Sequence, residues 1–482
     1  MATDTKDSSE NAPAPLDSYG TDQSTHLSVP ASVPVSRRED GLMYLALKDI
    51  RSHLQTEPSP FTKGNNSGGG FVGDKDLVQI NIMRYESMDS TGAKQAAILR
   101  SAAEASGVIF PAHALRAGPR RQIYRSPAAV TAAIVTCGGL CPGLNDVVQN
   151  IVFTLLDYGV PEDQVFGIRY GLRGFLDRRC KMVLLGRAGV EGIQLRGGTV
   201  LGTSRGHALI PDIVNRLALW KVNMLFVIGG NGGNAAAHSI AQECERKGVI
   251  CNVVGVPKSI DNDIQLIDRC FGFDTAVEEA QRALVAARVE ARSAAGISIV
   301  KLMGRSSGFI SMHASMASGV VDVCLIPEIS FRMDKLIAYV DTVLARKDYA
   351  VLCVAEGAGQ DVVNDGAGGT DASGNPILKD IGTYLRDELA KHFTGRDVRY
   401  IDPSYMIRSI PTITTDRILC KVLGQGAVHG AFAGFTDFTV GSINTHYVYL
   451  PTTTIIQSPR TVDPQGRTWN RLCTAINQPD LA

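Results

Sequence analysis

"VICNVVGVPKSIDNDI", residues 249–264, begins as a strand and ends as a cluster of polar groups. Its first half is a near-continuous run of apolar, mostly β-branched residues, the pattern of a strand buried on both faces of a parallel sheet. Lys258, Ser259, Asp261 and Asp263 follow at once, so a cation, a hydroxyl and two carboxylates stand at one strand end. Burying that density of polar groups for structure alone is costly. A turn held by its own Asx hydrogen bonds is the plainer alternative.

The same rhythm repeats outward from this stretch. "AVTAAIVT" (129–136), "NMLFVIG" (223–229), "ISIVKLMG" (297–304), "DVCLIPE" (322–328) and "YAVLCVAEG" (349–357) are apolar runs separated by helical patterns. They predict an α/β fold with mainly parallel sheets, and the βα units on either side of about residue 258 predict two packed domains. Asn234 is placed to cap "AAAHSIAQECERK" before Gly248, and Thr275 with Glu278 to form a capping box for a helix over 276–291. The expected organisation is a disordered tail over 1–40 and an extension over 41–127 that wraps the core. Two α/β domains, over 128–257 and 258–482, follow. The glycine- and aspartate-rich segment 357–380 has no periodicity and reads as a surface excursion.

Lysine plus arginine equals aspartate plus glutamate at 48 each in 482 residues, so no global field marks nucleic acid or a membrane as partner. No apolar run approaches the roughly 18 residues of a membrane helix. Ten cysteines lie singly, apart from Cys137 and Cys141, and several sit in strand-like runs, which suits a reducing compartment. The first 22 residues carry acids at positions 4, 7, 10, 17 and 22 and no arginine. Organelle transit peptides are arginine-rich and acid-poor, so a cytoplasmic location is expected.

Ligands of open α/β sheets bind outside the carboxyl ends of strands, and the polar stretches fall there repeatedly. "TCGGLCPGLND" (136–146) offers backbone N–H groups to an anion at a helix start, without the Lys-Ser/Thr pair of a P-loop. "GGTVLGTSRG" (197–206) ends on Arg205, and "FVIGGNGGN" (226–234) opens a second glycine-rich turn. "KLMGRSSG" (301–308) places Arg305, "VAEGAG" (354–359) places Glu356, and "RYIDPSYMIRS" (399–409) adds Arg399, Tyr405 and Arg408. Convergent arginines with a few acids point to a phosphorylated, hydroxyl-rich ligand. Each of these residues taken singly is more often a solvated side chain or half of an ion pair.

Assembled in order, "TCGGLCPGLN", "GGTVLG", "PKSIDNDI", "FGFDTAVEEA", "KLMGR", "AEGAG" and "DPSYMIR" make the chain resemble the 6-phosphofructokinase family, in particular its plant-type ATP-dependent members. The resemblance covers about residues 128–475 and implies two similar three-layer α/β domains with the active site in the cleft between them, the nucleotide-binding one over 128–257 and the sugar-phosphate-binding one over 258–482, whose last segment packs back on the first. It implies transfer of the γ-phosphoryl group of ATP to the 1-hydroxyl of fructose 6-phosphate, with Mg²⁺ as cofactor. Asp261 takes the role of general base, and Ser259, Ile260, Met303, Gly304, Arg305, Glu356, Tyr405, Met406, Ile407 and Arg408 line the substrate. Gly138, Arg205, Gly206, Gly230, Asn231, Gly232 and Gly233 match the nucleotide contacts, while Asn231 and Asp263 match the metal position. Arg399 matches an arginine supplied across a subunit interface, which implies a homo-oligomer, a tetramer, with a hetero-oligomer as the other arrangement.

Three departures from the family pattern stand out. Tyr405 replaces the histidine of bacterial members. The second cross-subunit arginine of those members falls at Gly296, leaving Arg292 as a substitute. The family's Gly-Gly-Asp-Gly-Thr/Ser becomes Gly229-Gly230-Asn231-Gly232-Gly233, which removes a metal-binding carboxylate and a hydroxyl. A weakened metal site is the expected consequence; a non-catalytic regulatory subunit is the alternative. Gly232 leaves room for a nucleotide where pyrophosphate users carry aspartate, although Lys258 is a residue they share, so a pyrophosphate donor is the other reading.

Overall fold

The computed structural model describes residues 34–63, 70–80, 113–180, 182–205, 209–363, 369 and 376–482. Two sheets organise them. In the larger, Val165–Ile168, Ala132–Thr136, Met224–Gly229, Asn252–Pro257 and Phe438–Ile443 lie side by side, all parallel. In the smaller, Val323–Leu325, Ala350–Ala355, Ile297–Leu302 and Val398–Ile401 are parallel throughout. The six apolar runs are all strands, each trimmed by a few residues at its ends.

Alternation along the strands explains the layers. Ala133, Val135, Leu225, Val227 and Val253 join one core with helices Ile210–Leu219 and Asn231–Lys247. Their neighbours Ala132, Ile134, Phe226, Ile228 and Val254 join another with helices Leu144–Tyr158 and Thr414–Phe432. That second core continues through helices Phe273–Ser293 and Phe309–Ser318 to Val300, Leu302, Cys324 and Cys353 of the smaller sheet. The opposite face of the smaller sheet packs Ile297, Ile299 and Leu352 against helices Met333–Lys347 and Ile381–His392. One apolar core therefore spans both sheets, and helices cover both faces of each.

The hairpin Phe438–Ile443/His446–Pro451 returns the chain to the larger sheet, where His113–Arg116, Met43–Leu45 and Val35–Arg37 extend the edge. Val35–Arg37 is thus a strand within the stretch expected as a tail. Residues 1–33 lie outside the described residues, as do 64–69 and 81–112 of the extension and most of 364–375 in the expected excursion. Arg51 holds the extension down: its guanidinium lies 4.6 Å from the Tyr124 ring centroid and 4.5 Å from that of Phe435, and it pairs with Asp74 at 2.6 Å.

Both expected caps are replaced by other arrangements. The helix assigned to Asn234 begins at Asn231, and Asn234 sits inside its first turn, donating to the carbonyls of Gly229 and Gly230. The second helix begins at Phe273, and Thr275 bonds Asp416 rather than Glu278, through its N–H at 2.7 Å and its hydroxyl at 2.6 Å. Asp416 is buried against Thr275, while Glu278 pairs with Arg282 at 3.0 Å, so each carboxylate takes the partner that the packing puts beside it.

Candidate active site

Gly229 and Pro257 are paired Cα neighbours at the carboxyl ends of adjacent parallel strands. The loops leaving them therefore start side by side, and the Lys258 N–H donates to the Gly229 carbonyl at 2.9 Å. A Cβ on Gly229 would stand 2.8 Å from the Gly233 Cα, so the tight entry into helix Asn231–Lys247 requires glycine there. At Gly232 a Cβ would meet nothing within 4 Å.

The acidic loop turns on Asn262, whose φ of 53° is left-handed. Asparagine tolerates that conformation, and its side chain fixes it by donating to Asp268 O at 3.0 Å and accepting from the Cys270 N–H at 2.8 Å. On one side of this pivot the Ser259 hydroxyl donates to Asp263 Oδ1 at 2.5 Å, and the Asp261 N–H donates to Ser259 Oγ at 3.2 Å. Asn231 Nδ2 donates to Asp263 Oδ2 at 2.9 Å. A carboxylate only accepts, so this bond fixes which end of the Asn231 amide faces Asp263. The remaining Asn231 Oδ1 is buried without a partner, as is Asp261 Oδ1. The loop's carbonyls are anchored too, Asp261 O by the Ser307 hydroxyl at 3.2 Å and Asp263 O by the Arg460 N–H at 2.7 Å.

Burial, then the charges of Asp263 and Glu356, push the Asp261 carboxyl up to about 7, against the pull of Lys258 and Arg408. A carboxylate with that proton affinity is matched to taking a proton near neutral pH.

The smaller sheet supplies the other side. Gly304, with φ of 134°, turns the chain after Leu302, where a Cβ would lie 2.5 Å from Ser307 O. Glu356 follows the neighbouring strand, its N–H donating to Leu302 O at 2.9 Å. Burial raises its carboxyl, and Arg305, Lys301, Arg408 and Arg205 oppose the shift. The Arg205 and Arg408 guanidiniums both come within 3.2 Å of the Cβ position of Gly139. Burial and the Arg205 charge hold the Arg408 guanidinium below its usual proton affinity, and its Nε is buried without a partner. Gly138 is locked to the Arg205 segment by its N–H on Ser204 O at 3.1 Å and by Thr203 Oγ1 on its carbonyl at 2.7 Å. Two cations facing one glycine turn favour an anion between them.

The structure thus brings together Gly138, Arg205, Gly230, Asn231, Ser259, Asp261, Asp263, Gly304, Arg305, Glu356 and Arg408. Ile260 and Ile407 are buried in the core shared by the sheets, and Met303 packs against it. Tyr405 and Met406 are 74% and 73% exposed. Arg399 lies on the outer strand of the smaller sheet, paired with Asp397 at 2.6 Å and with Glu290. Gly206 lies outside the described residues. Asn262, Ser307 and Arg460 were missed by sequence reasoning. Only Asn262 carries a signal, as an asparagine between two turn-forming acids.

A model of the family Phosphofructokinase matches residues 131–431. The chain is 50% identical over 420 residues to ATP-dependent 6-phosphofructokinase 5, chloroplastic, of Arabidopsis thaliana, covering 86% of this chain and 76% of that one. It is 40% identical over 380 residues to ATP-dependent 6-phosphofructokinase of Borreliella burgdorferi, covering 76% and 85%. Its fold superposes on a pyrophosphate-dependent phosphofructokinase from Marinobacter aquaeolei with a TM-score of 0.62 at 19% identity, over 73% of this chain and 92% of that chain. By its sequence and by the parallel sheets that carry these loops, the chain belongs to the phosphofructokinase family.

Proposed function

We propose that this chain is an ATP-dependent 6-phosphofructokinase, moving the γ-phosphoryl group of ATP to the 1-hydroxyl of fructose 6-phosphate to give fructose 1,6-bisphosphate and ADP. The observation that carries the reading is Asp261, a carboxyl with a buried, unpartnered Oδ1 and an affinity near neutrality, on a loop ordered by Ser259 and Asp263. Asp261 orients the sugar hydroxyl and takes its proton as the new P–O bond forms, and the bond to ADP breaks. Arg205 and Arg408 hold anionic groups over the Gly138–Gly139 turn. The open space at Gly232 supports a nucleotide as donor.

The oxygen-rich loop pair fits Mg²⁺. Among the described residues no three His, Cys, Asp or Glu side chains converge into a cage. Mg²⁺ in phosphoryl-transfer sites is typically held by one or two carboxylates together with substrate phosphates and waters. Asp263 and the orphaned Asn231 Oδ1 would hold it, directly or through its waters. When bound, it neutralises charge on the nucleotide phosphates.

Arg399 supports an oligomer, most simply a homotetramer, in which it serves a neighbour's site. Mixing inactive Asp261→Asn and Arg399→Ala subunits restores activity if that is so. The cysteines, all free among the described residues and mostly buried, support a reducing compartment such as the cytoplasm, which a fluorescent fusion tests. A coupled assay of the purified chain tests the reaction itself. ADP formation requiring both Mg²⁺ and fructose 6-phosphate is expected; turnover with pyrophosphate alone sinks the donor assignment, and no turnover with either favours a regulatory subunit.

A further inference from the structure

A cavity of about 360 Å³ lies beside the acidic loop and shares only Asn262 with it. Its size falls in the range of small-molecule sites. Arg269, Arg460 and Arg467 line it together with Phe273, Phe309 and Trp469. The Arg460 guanidinium lies 5.0 Å from the Phe309 ring centroid and donates to the carbonyls of Ile267 and Asp268 at 2.9 and 3.1 Å. Arg269 is paired with Asp274. Arg467 makes no hydrogen bond or ion pair among the described residues, and it opens helix Arg467–Ile476, whose positive end faces the same wall. The acids of the lining are already engaged: Asp268 accepts from the Asn444 N–H at 2.5 Å and Asp463 from the Gln465 N–H at 2.9 Å.

We propose that this cavity binds a small anion with a planar apolar face, and that Arg460 makes its occupancy felt at the acidic loop. Guanidiniums match phosphate or carboxylate oxygens in pairs, and the three aromatic side chains offer faces and edges to a flat group. Arg460 is the shared part. Its N–H holds Asp263 O at 2.7 Å while its guanidinium forms the cavity wall. A ligand that draws the guanidinium from the Ile267 and Asp268 carbonyls acts on the same residue that anchors Asp263. Binding stands apart from the phosphotransferase reading; the coupling rests on it.

The test uses phenyl phosphate, which combines one anion with one ring, and inorganic phosphate, which lacks the ring. The chain has two tryptophans, so in Trp220→Phe the emission reports Trp469 alone. A saturable change with phenyl phosphate is expected, weaker by about tenfold with inorganic phosphate and in Arg467→Gln, and largely recovered in Arg467→Lys. Phenyl phosphate is also expected to shift the KM for fructose 6-phosphate several-fold in the unmodified chain, but not in Arg467→Gln. No saturable signal at millimolar probe, binding indifferent to Arg467→Gln, equal binding of inorganic phosphate, or displacement by saturating ATP or fructose 6-phosphate overturns the site. Binding with an unmoved KM overturns the coupling. Loss of the phosphofructokinase reading is seen separately, because Asp261→Asn is expected to keep the Trp469 signal whether or not the chain turns over.

Discussion

The two loops that leave Gly229 and Pro257 begin as neighbours and carry opposite chemistry. The first, Gly230–Gly233, presents backbone and one amide at the start of a helix. The second, Lys258–Asp263, packs a cation, a hydroxyl and two acids whose positions are fixed by hydrogen bonds. They meet at Asn231 Nδ2 and Asp263 Oδ2, 2.9 Å apart. Two carboxylates at that distance would repel by several kcal/mol unless a cation lay between them. The amide instead donates a hydrogen bond. The loss of an acid at Asn231 therefore leaves an ordered site: charge is confined to one loop, and the other contributes access.

The most severe way to break that division is Asp261→Asn, which keeps shape and removes the base. Turnover is expected to fall by about 10²–10⁴-fold with little change in Tm; steady-state kinetics with thermal melts checks both. Gly229→Ala attacks the neutral loop where a Cβ would stand 2.8 Å from Gly233 Cα, and should cost about 1–3 kcal/mol in denaturant unfolding. Gly232→Ala is its control: with open space and a helical backbone it is expected to gain up to about 1 kcal/mol while raising the KM for ATP. Asn231→Asp erases the contrast itself. The Mg²⁺ concentration for half-maximal rate should fall several-fold, and an unchanged titration would mean that the metal is held elsewhere. The smallest effect is in pH. The acid limb of kcat/KM should report a group near 7, since Asp261 works only when deprotonated. Glu356 raises that affinity, so Glu356→Gln should move the limb to lower pH by a fraction of a unit, whatever it does to the plateau.

Much of the fold was readable because buried parallel strands need continuous apolar runs. The runs around Ile134, Phe226, Val254, Ile299 and Leu352 all became strands. The hairpin Phe438–Ile443/His446–Pro451 went unread because Thr439, Ser442 and His446 interrupt its pattern, and its place in the sheet depends on a partner far back in the chain. Both caps failed for a related reason. Thr275 had a plausible local partner in Glu278, but Asp416, 141 residues away, is the one it bonds.

By itself the sequence determined which residues were chemically equipped: the acids and hydroxyl of 258–263, the arginines at 205, 305 and 408, and the glycines that admit an anion. Residue type and strand-end position suffice for that, because both are local properties. Only the tertiary structure decided that Asn231 bonds Asp263, that Arg205 and Arg408 face one glycine turn, and that Arg460 anchors the acidic loop. Those pairings depend on distances between segments far apart in the chain, which are set by the packing of two sheets on one core rather than by any local preference.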